Sequence, residues 1–528
     1  MLINPAKLAA NANVAVVGAG VGGLSFGYFL TKLRPDVNIT IIDAANRTGG
    51  WINSSTIEDH GKSPVVLEKG PRTLRGKSEG TTLIVDTLNA LNKKDIVCYI
   101  EGKSEANRKF LLDRNDKLVQ VPNSMGSFMK FLSSSLSKGL ISGILGEPFR
   151  KPRSNSGEDE SAHDLIKRRF GGEYVSNNLF SAIFHGIYAG DIKQLSAQRT
   201  LAPLLALEAK HGSLIKGAWG SNAKKGELEL PKSLLRYQKS LDRNLQELSE
   251  LHCRLRTLPM LGLRNGLESF PQALTIALQQ NPKVRFILRN AVSQVAVAKD
   301  GNCRVSLADG NEITGLDHVR LTNTPAVIAA MMSNQQLAQE LREAHSNTVV
   351  LLNFYLSDVD LLERYHSFGY LVPQSNRNDE QLLGVIFDSV IEKSFKPLNP
   401  AASLSAQRKP QRYTKFTAMV GGHYLRRDSQ ASLPETSQDY VDKVKTALIR
   451  HLNLSQQDLD RGHWQVTTAK DCLPHFFVNY NLWVARIKAK FNEEVGLRIS
   501  LGGMAFSNGP GVPDVVMDGF EDADSLAH

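Results

Sequence analysis

Short unbroken apolar runs, cut by glycine, open and close this chain. Val14-Ala15-Val16-Val17 is one such run, the pattern of a strand buried on both faces of a parallel sheet. Gly18 to Gly23 follows as a turn, then Leu24 to Leu33 as a helix ended before Pro35. Val37 to Ile42 reads as a second strand, closing on Asp43. Near the other end, Ile499 to Gly503 is again a strand running into glycines, and after Gly509-Pro510-Gly511 a helix can start at Val512. A last strand built like the first predicts one sheet made from both ends of the chain, with other units inserted between them. Val284 to Val297 and Cys303 to Leu307 also read as strands, with Asp300-Gly301 as the break.

Met125 to Leu145 has a different rhythm. Met125, Phe128, Met129, Leu132, Leu136 and Leu140 recur at helical spacing, which fits either a core helix or an amphipathic face lying on a membrane. Glu147 to Ser161 and Asn399 to Arg412 are polar and rich in Pro, Ser or Gly, and read as loops inserted between ordered elements. The chain shows no internal repeat and no heptad pattern.

The 528 residues suffice for two to four domains, and a composition of 41% hydrophobic and 22% charged residues is that of an ordinary globular protein. The net charge of +10 is spread along the chain rather than gathered in an arm. That argues against nucleic acid and for anionic lipid or an acidic small molecule. The four cysteines, Cys98, Cys253, Cys303 and Cys472, form no CxxC pair, so neither a disulfide framework nor a zinc site is expected. Leu8 to Thr31 carries no charge but is broken by Asn11, Asn13 and its glycines. It is expected to be neither a membrane span nor a secretory signal, and the leader before it has too little Arg for a mitochondrial presequence.

Chemistry enters at the first turn. Gly18-Ala19-Gly20-Val21-Gly22-Gly23 fits GxGxxG, and it follows a strand and opens a helix. In that context Gly18 permits the tight turn, Gly20 lets backbone amides approach a pyrophosphate, and Gly23 lets the helix pack on the sheet. Asp43, about twenty residues on, stands where a carboxylate accepts hydrogen bonds from a ribose. The continuation Asp43-Ala44-Ala45-Asn46-Arg47-Thr48-Gly49-Gly50-Trp51 resembles the second FAD signature of the amine-oxidase-like flavoprotein superfamily. Leu67-Glu68-Lys69-Gly70-Pro71-Arg72-Thr73 is similar to its oxygen-dependent protoporphyrinogen oxidase branch. The resemblance continues through Gly262 to Glu268, Phe270 to Leu274, Ser367 to Pro373, Met419 to Gly422, and Gly502 to Ala505 with Gly509 to Asp514.

What this resemblance implies is specific. The fold is α/β and α+β, with a discontinuous Rossmann-like FAD-binding domain at 1–94, 255–325 and 460–528. A substrate-binding domain is inserted at 95–109 and 326–459, and a helical membrane-binding domain at 110–254. Gly18, Ala19, Gly20, Val21, Gly22, Gly23, Asp43 and Ala44 would hold the nucleotide, with Val292 on the adenine side. Arg47, Gly49, Gly50, Trp51, Gly70, Pro71, Arg72, Thr73, Pro510, Gly511 and Val512 would line the flavin side. With no cysteine in the C-terminal motif, the FAD would be non-covalent. Glu521 to His528 departs from the small-residue helix usual after that motif.

The resemblance further implies oxidation of protoporphyrinogen IX to protoporphyrin IX by molecular oxygen, giving peroxide, in haem biosynthesis. No catalytic side chain and no metal are assigned, because the flavin N5 takes the hydride. Arg108 falls where the family pairs a guanidinium with a substrate propionate, with Lys109 as the adjacent alternative, and Gly186, Phe368, Gly369, Leu371, Ile386 and Met419 would line the pocket. His185 has no assigned role. The implied setting is peripheral, on the mitochondrial inner membrane at its intermembrane-space side, with room for a homodimer and a contact with ferrochelatase. The competing readings are an amine oxidase or carotenoid-type desaturase of the same superfamily, or a non-catalytic relative that binds prenylated proteins.

Overall fold

The computed structural model describes residues 7–58, 64–153, 157–220, 230–298, 301–405, 412–425 and 436–528. Strand β1 (Asn13–Val17), helix α1 (Val21–Leu33) and strand β2 (Asn38–Ile42) form the opening unit. After the exposed Asn13, β1 is apolar because its two faces serve two cores. Val14 and Val16 pack into one, Ala15 and Val17 into the other. The parallel sheet runs Ile499–Leu501, His318–Leu321, β1, β2, Val284–Ile287, so strands from both ends of the chain and its middle share one layer. Among the described residues, no helix is long and apolar enough to cross a membrane.

The stretch from Val284 to Val297 is two strands rather than one continuous signal. Val284–Ile287 ends the parallel sheet, the chain turns through Arg289 at φ +60°, and Val292–Val297 joins an antiparallel sheet with Cys303–Leu307 and Glu312–Leu316.

The unusual tail is a continuous helix, Val512–Ala527. It lies against α1 at van der Waals distance. A Cβ on Gly519 would come 2.9 Å from the backbone N of Phe26, and one on Gly22 would come 3.0 Å from Val515 Cγ1. Its acids have partners. Asp518 and Asp522 pair at 2.6 and 2.8 Å with Arg320, which is nearly fully buried on the neighbouring strand, and Asp524 pairs with Arg236. Asp518 and Asp522, which look foreign in a packed helix, are the counter-charges of that buried guanidinium.

A second, seven-stranded sheet carries the inserted unit. Its order is His463–Pro474, Ser346–Ser357, Tyr413–Gly421, Leu382–Ile386, Gly369–Leu371, Phe110–Leu112, Leu118–Gln120. Two expected boundaries move as a result. His463–Pro474 belongs to this sheet and not with 460–528, and Phe110 to Gln120 belongs to it and not with 110–254. Hydrogen bonding of the edge strands decides this, which periodicity within one strand cannot reveal. Lys232–Ser240 and Leu245–Arg256 likewise pack with the cofactor unit, where Leu234, Tyr237, Leu248 and Leu255 join its core.

Met125 to Leu145 is not one helix. It divides into Met125–Leu132, a turn at Ser135–Ser137, and Leu140–Gly146, with Gly139 at φ +74° supplying the bend. Phe131 and Leu136 point inward and are buried, while Met125, Met129 and Leu145 are 77%, 63% and 68% exposed. The loop expected at 147–161 is anchored at its start. Glu147 is fully buried and paired with the fully buried Arg169, and it also accepts hydrogen bonds from Ser213 Oγ and the Leu214 amide. Residues 154–156 of that loop and 406–411 of the later one lie outside the described residues.

Removing one partner of a buried ion pair leaves an uncompensated charge, at a cost of about 3–5 kcal/mol. Arg169→Met should therefore destabilise the protein by about that much in chemical denaturation, and Glu147→Gln added to it should recover part of the loss. An unchanged denaturation midpoint in the single variant would contradict the account.

Candidate functional site

The site begins where two glycine-bearing segments cross. Gly18 has φ +107°, and a Cβ there would come 2.4 Å from Thr322 Oγ1. A Cβ on Gly23 would come 2.0 Å from Gly18 O. Gly49 donates to Ala19 O at 2.8 Å, and a Cβ on Gly50 would come 3.0 Å from Gly20 Cα. Backbone therefore meets backbone across the turn. Asp43 closes the arrangement: its Oδ2 accepts from the Ala19 amide at 2.7 Å and its Oδ1 from the Ala45 amide at 2.8 Å, with Ala44 exposed beside it.

Gly20 is the exception. A Cβ there would meet only Gly50 Cα, at an ordinary 3.7 Å. The protein's own packing does not demand glycine at this position. α1 starts at Val21 with no acid in its first turn and no side-chain cap, so its first amides are free to face an anion. The buried Asn323 Oδ1, beside Gly18, has no hydrogen-bond partner. An open backbone cradle, donors at a helix end and a carboxylate on the second strand together fit a dinucleotide. Val292 follows the segment in which Arg289 donates to Ala45 O at 2.9 Å and Asn290 to Asp43 O at 3.2 Å, so it lies on the same side as Asp43.

The residues expected on the flavin side divide by the contacts they make. Arg47 is spent on its own loop, donating to Thr48 O, Gly50 O and Ile52 O. A Cβ on Gly70 would come 2.0 Å from Trp51 O, so the 67–73 segment passes against the partly exposed Trp51, with Pro71 and Thr73 half-buried beside it. Arg72 is nearly buried in a 2.6 Å pair with Asp388, whose other oxygen accepts from Thr417 Oγ1 at 2.7 Å. It ties the cofactor segment to the seven-stranded sheet. At the C-terminal motif, Gly503 (φ +80°) packs on Gly22, and the Gly511 amide donates to Asp514 Oδ2 at 3.2 Å. Burial raises the Asp514 carboxyl. Pro510 and Gly511 lead into the helix at Val512, and Arg199, stacked over Phe476, donates to Ser507 O and fixes that loop.

Register places the pocket residues. Gly369 pairs with Ile386 and Leu371 with Gly384; Gly384 pairs in turn with Met419, and Met419 with Leu351. Directly opposed residues and those two apart share a face. Gly369, Leu371, Ile386 and Met419 therefore lie on one face, and the apolar ones are half-buried. The opposite face carries Tyr370, Val385, Ala418 and Leu352, packed on the helix Ser437–Leu452. Gly186 meets Leu371, whose Cδ2 would lie 2.9 Å from a Cβ there. Phe368 sits at the strand start in a cluster with Ile386 and Met260. His185 is buried; its Nδ1–H donates to Val372 O (2.6 Å) and its Nε2 is hydrogen-bonded to His423 Nε2 (2.9 Å), and burial and then His423 push its pKa down to about 3, so it is a neutral structural group.

The same register separates Arg108 from Lys109. Leu111 pairs with Leu371, so Leu111, and Lys109 two residues before it, lie on the pocket face. Arg108 lies on the other and forms a 3.0 Å pair with Glu105 at the surface. As placed, the Arg108 guanidinium, expected to reach the pocket, is engaged by Glu105 instead. Lys109 is solvent-accessible yet walled by protein, as in a cleft, and burial and then the charge of Arg75 lower its pKa. Arg75 also acts electrostatically on Tyr188 and Asp514. Sequence reasoning missed Arg75 and Arg199, and gave Asp514 no role beyond its place in the 509–514 motif.

Because Gly20 has room for a methyl group in the protein alone, Gly20→Ala should leave the thermal stability of the flavin-free protein unchanged while cutting FAD content. Gly23→Ala, which meets fixed backbone, should lower both. If Gly20→Ala retains wild-type FAD content, the cradle has been placed wrongly.

The family model for flavin-containing amine oxidoreductases matches residues 21–465. A protoporphyrinogen oxidase of Saccharomyces cerevisiae is 44% identical over the whole of both chains. One of Schizosaccharomyces pombe is 25% identical over 98% of each. A solved structure from Exiguobacterium sp. 255-15 superposes with a TM-score of 0.72 at 20% identity, covering 98% of this chain and 99% of its own. The glycine cradle, the carboxylate on the second strand and the apolar sheet face are accounted for together: the chain belongs to the flavin-containing amine oxidoreductases, in their protoporphyrinogen oxidase family, and its cofactor is FAD.

Proposed function

We propose that this protein oxidises protoporphyrinogen IX to protoporphyrin IX with molecular oxygen, giving hydrogen peroxide, in haem biosynthesis. The observation that carries this reading is the whole-chain identity of 44% to a protoporphyrinogen oxidase, joined to a pocket face of the chemistry this substrate requires. Bound FAD supplies the hydride acceptor and passes electrons to oxygen. The protein's share is positioning. A carbon between two pyrroles loses hydride to leave a cation that both rings stabilise, so no strong side-chain base is needed. Leu371, Ile386 and Met419 offer a flat apolar wall for the macrocycle, and Phe368 closes one end of it. Gly369 and Gly384 let the strands behind that wall close up, since a Cβ at either would come 2.1 Å from Val385 O or 2.6 Å from Tyr370 O. Asp43 and the first amides of α1 hold the nucleotide, and the Arg72–Asp388 pair holds the cofactor segment in fixed relation to the substrate face.

Lys109 is the residue we assign to a substrate propionate, with the cationic Arg75 facing the same space. Two cations held together in a cleft lower the cost of burying a carboxylate there. The FAD is non-covalent in this reading, since no cysteine lies in the 502–514 motif. We also propose peripheral attachment to the mitochondrial inner membrane, at its intermembrane-space side. Support for attachment comes from the exposed Met125, Met129, Leu145 and Phe149, which sit among Lys130, Lys138 and Lys151. A homodimer and a contact with ferrochelatase, as consumer of a poorly soluble product, complete the proposal.

Lys109→Ala should raise the KM for protoporphyrinogen by about 10- to 100-fold, the worth of one charge-assisted hydrogen bond, with FAD content unchanged. Arg108→Ala should alter KM by less than about twofold, because a surface pair contributes little. The opposite pattern would reverse the assignment. Acid precipitation should release all flavin to the supernatant; flavin left in the pellet would show a covalent link. Replacing Met125, Met129 and Leu145 by Asp should release the protein from anionic liposomes without loss of fold, and wild type that never sediments with them would refute the attachment.

A further inference from the structure

The helical region holds an apolar groove of about 380 Å³, and two of its lining residues, Leu140 and Leu179, share an apolar cluster with Leu371 at the back of the substrate face. Leu140 and Ile144 form one wall, Phe170 and Leu179 a second, and Ile215 and Ala218 a third, and every lining side chain is apolar. We propose that this groove is a lipid site that takes one acyl chain of an anionic phospholipid.

Three observations carry the assignment. The groove is preformed. Glu147, directly after the helix Leu140–Gly146, is paired with Arg169 on the helix Ala162–Phe170 and accepts from Ser213 and Leu214 at the start of the helix Leu214–Gly220. One buried carboxylate thus pins the three walls together. Gly143 fixes the spacing of two of them, since a Cβ there would come 2.9 Å from Phe170 O. The walls cannot slide shut over the space they enclose.

The lining also selects the occupant. A tetrapyrrole brings carboxylates and pyrrole N–H groups, which would be stranded against walls that offer no polar side chain. A hydrocarbon chain loses nothing there. The volume lies at the lower end of the roughly 300–1,000 Å³ range of ligand pockets, in keeping with a single chain.

The rim, finally, is basic and apolar. Ile144 is shared with the exposed set that includes Ile141 and Leu145. From Met125 to Lys151 the sole acidic residue is Glu147, and Arg169 neutralises it in the interior. Lys130, Lys138, Arg150 and Lys151 therefore give this stretch an uncompensated positive charge, with Lys138 4.3 Å over the Tyr174 ring. A chain in the groove would leave its headgroup beside cations, which is the charge complement of an anionic lipid. This inference rests on the peripheral attachment proposed above.

The test uses the full-length FAD-loaded protein and two probes. One is single-chain palmitoyl phosphatidylglycerol below its micellar concentration, titrated calorimetrically. The other is sedimentation with vesicles of phosphatidylcholine and phosphatidylglycerol. Wild type should bind one single-chain lipid and sediment with the vesicles. Ala218→Phe and Ile215→Trp, which fill the groove without adding charge, should bind the single-chain lipid about tenfold or more weakly and still sediment. Met129→Asp, on the exposed face and outside the groove, should keep single-chain binding while sedimenting less. Wild type that sediments but binds no single-chain lipid, or groove variants that bind it as wild type does, would overturn the lipid site and leave the attachment standing. Wild type that fails to sediment would overturn the attachment itself. A dimer in solution that Ala218→Phe abolishes would assign the groove to a second copy of the chain and so overturn the lipid site.

Discussion

Backbone-to-backbone approach at the Gly18–Gly23 turn is the constraint on which the rest of the structure depends. A dinucleotide lies on main-chain amides, so the segments around it must meet without side chains between them. Gly50 rests on Gly20, Gly23 on Gly18 O, and Gly503 near Gly22, so segments from both ends of the chain converge on one point. The parallel sheet must then gather strands from residues 13, 318 and 499, and everything between them is inserted as a separate unit. The C-terminal helix pays for its tight seat on α1 with small residues at its contact face and with acids that neutralise the buried Arg320.

The second sheet answers a different demand. One face is committed to a core under the helix Ser437–Leu452, and only the other is left for a ligand. Its half-buried apolar side chains are joined to the cofactor unit by the Arg72–Asp388 pair, which Thr417 braces from the same sheet face. Arg72 is thus a domain tie. Its position in a cofactor-like segment and its burial against a partner from residue 388 are two sides of the same arrangement.

How much of this was legible in the sequence follows from the range of each signal. The first turn, the carboxylate at Asp43 and the strand that mirrors the first one are local patterns, and they stand where expected. The choice between Arg108 and Lys109 was not legible. Adjacent residues on a strand face opposite ways, and only the pairing of Leu111 with Leu371 tells which of the two shares a face with Leu371. The edges of the units were misplaced for the same reason, since His463–Pro474 is assigned by its partner strand and not by its own composition. The break in Met125 to Leu145 needed Gly139 at positive φ, and a glycine in a helical pattern gives no sign of its dihedral angle. Arg75 is invisible as a site residue until the fold sets it opposite Lys109.

The central claim is that the cofactor cradle and the apolar sheet face form one site for a porphyrinogen. Anaerobic mixing of the FAD-loaded protein with protoporphyrinogen IX in a stopped-flow spectrometer tests it most directly. The flavin absorbance should bleach in a saturable, substrate-dependent phase as the tetrapyrrole is oxidised, and return when oxygen is admitted. A flavin spectrum that stays unchanged with protoporphyrinogen, while an amine or a carotenoid precursor bleaches it, would contradict the account.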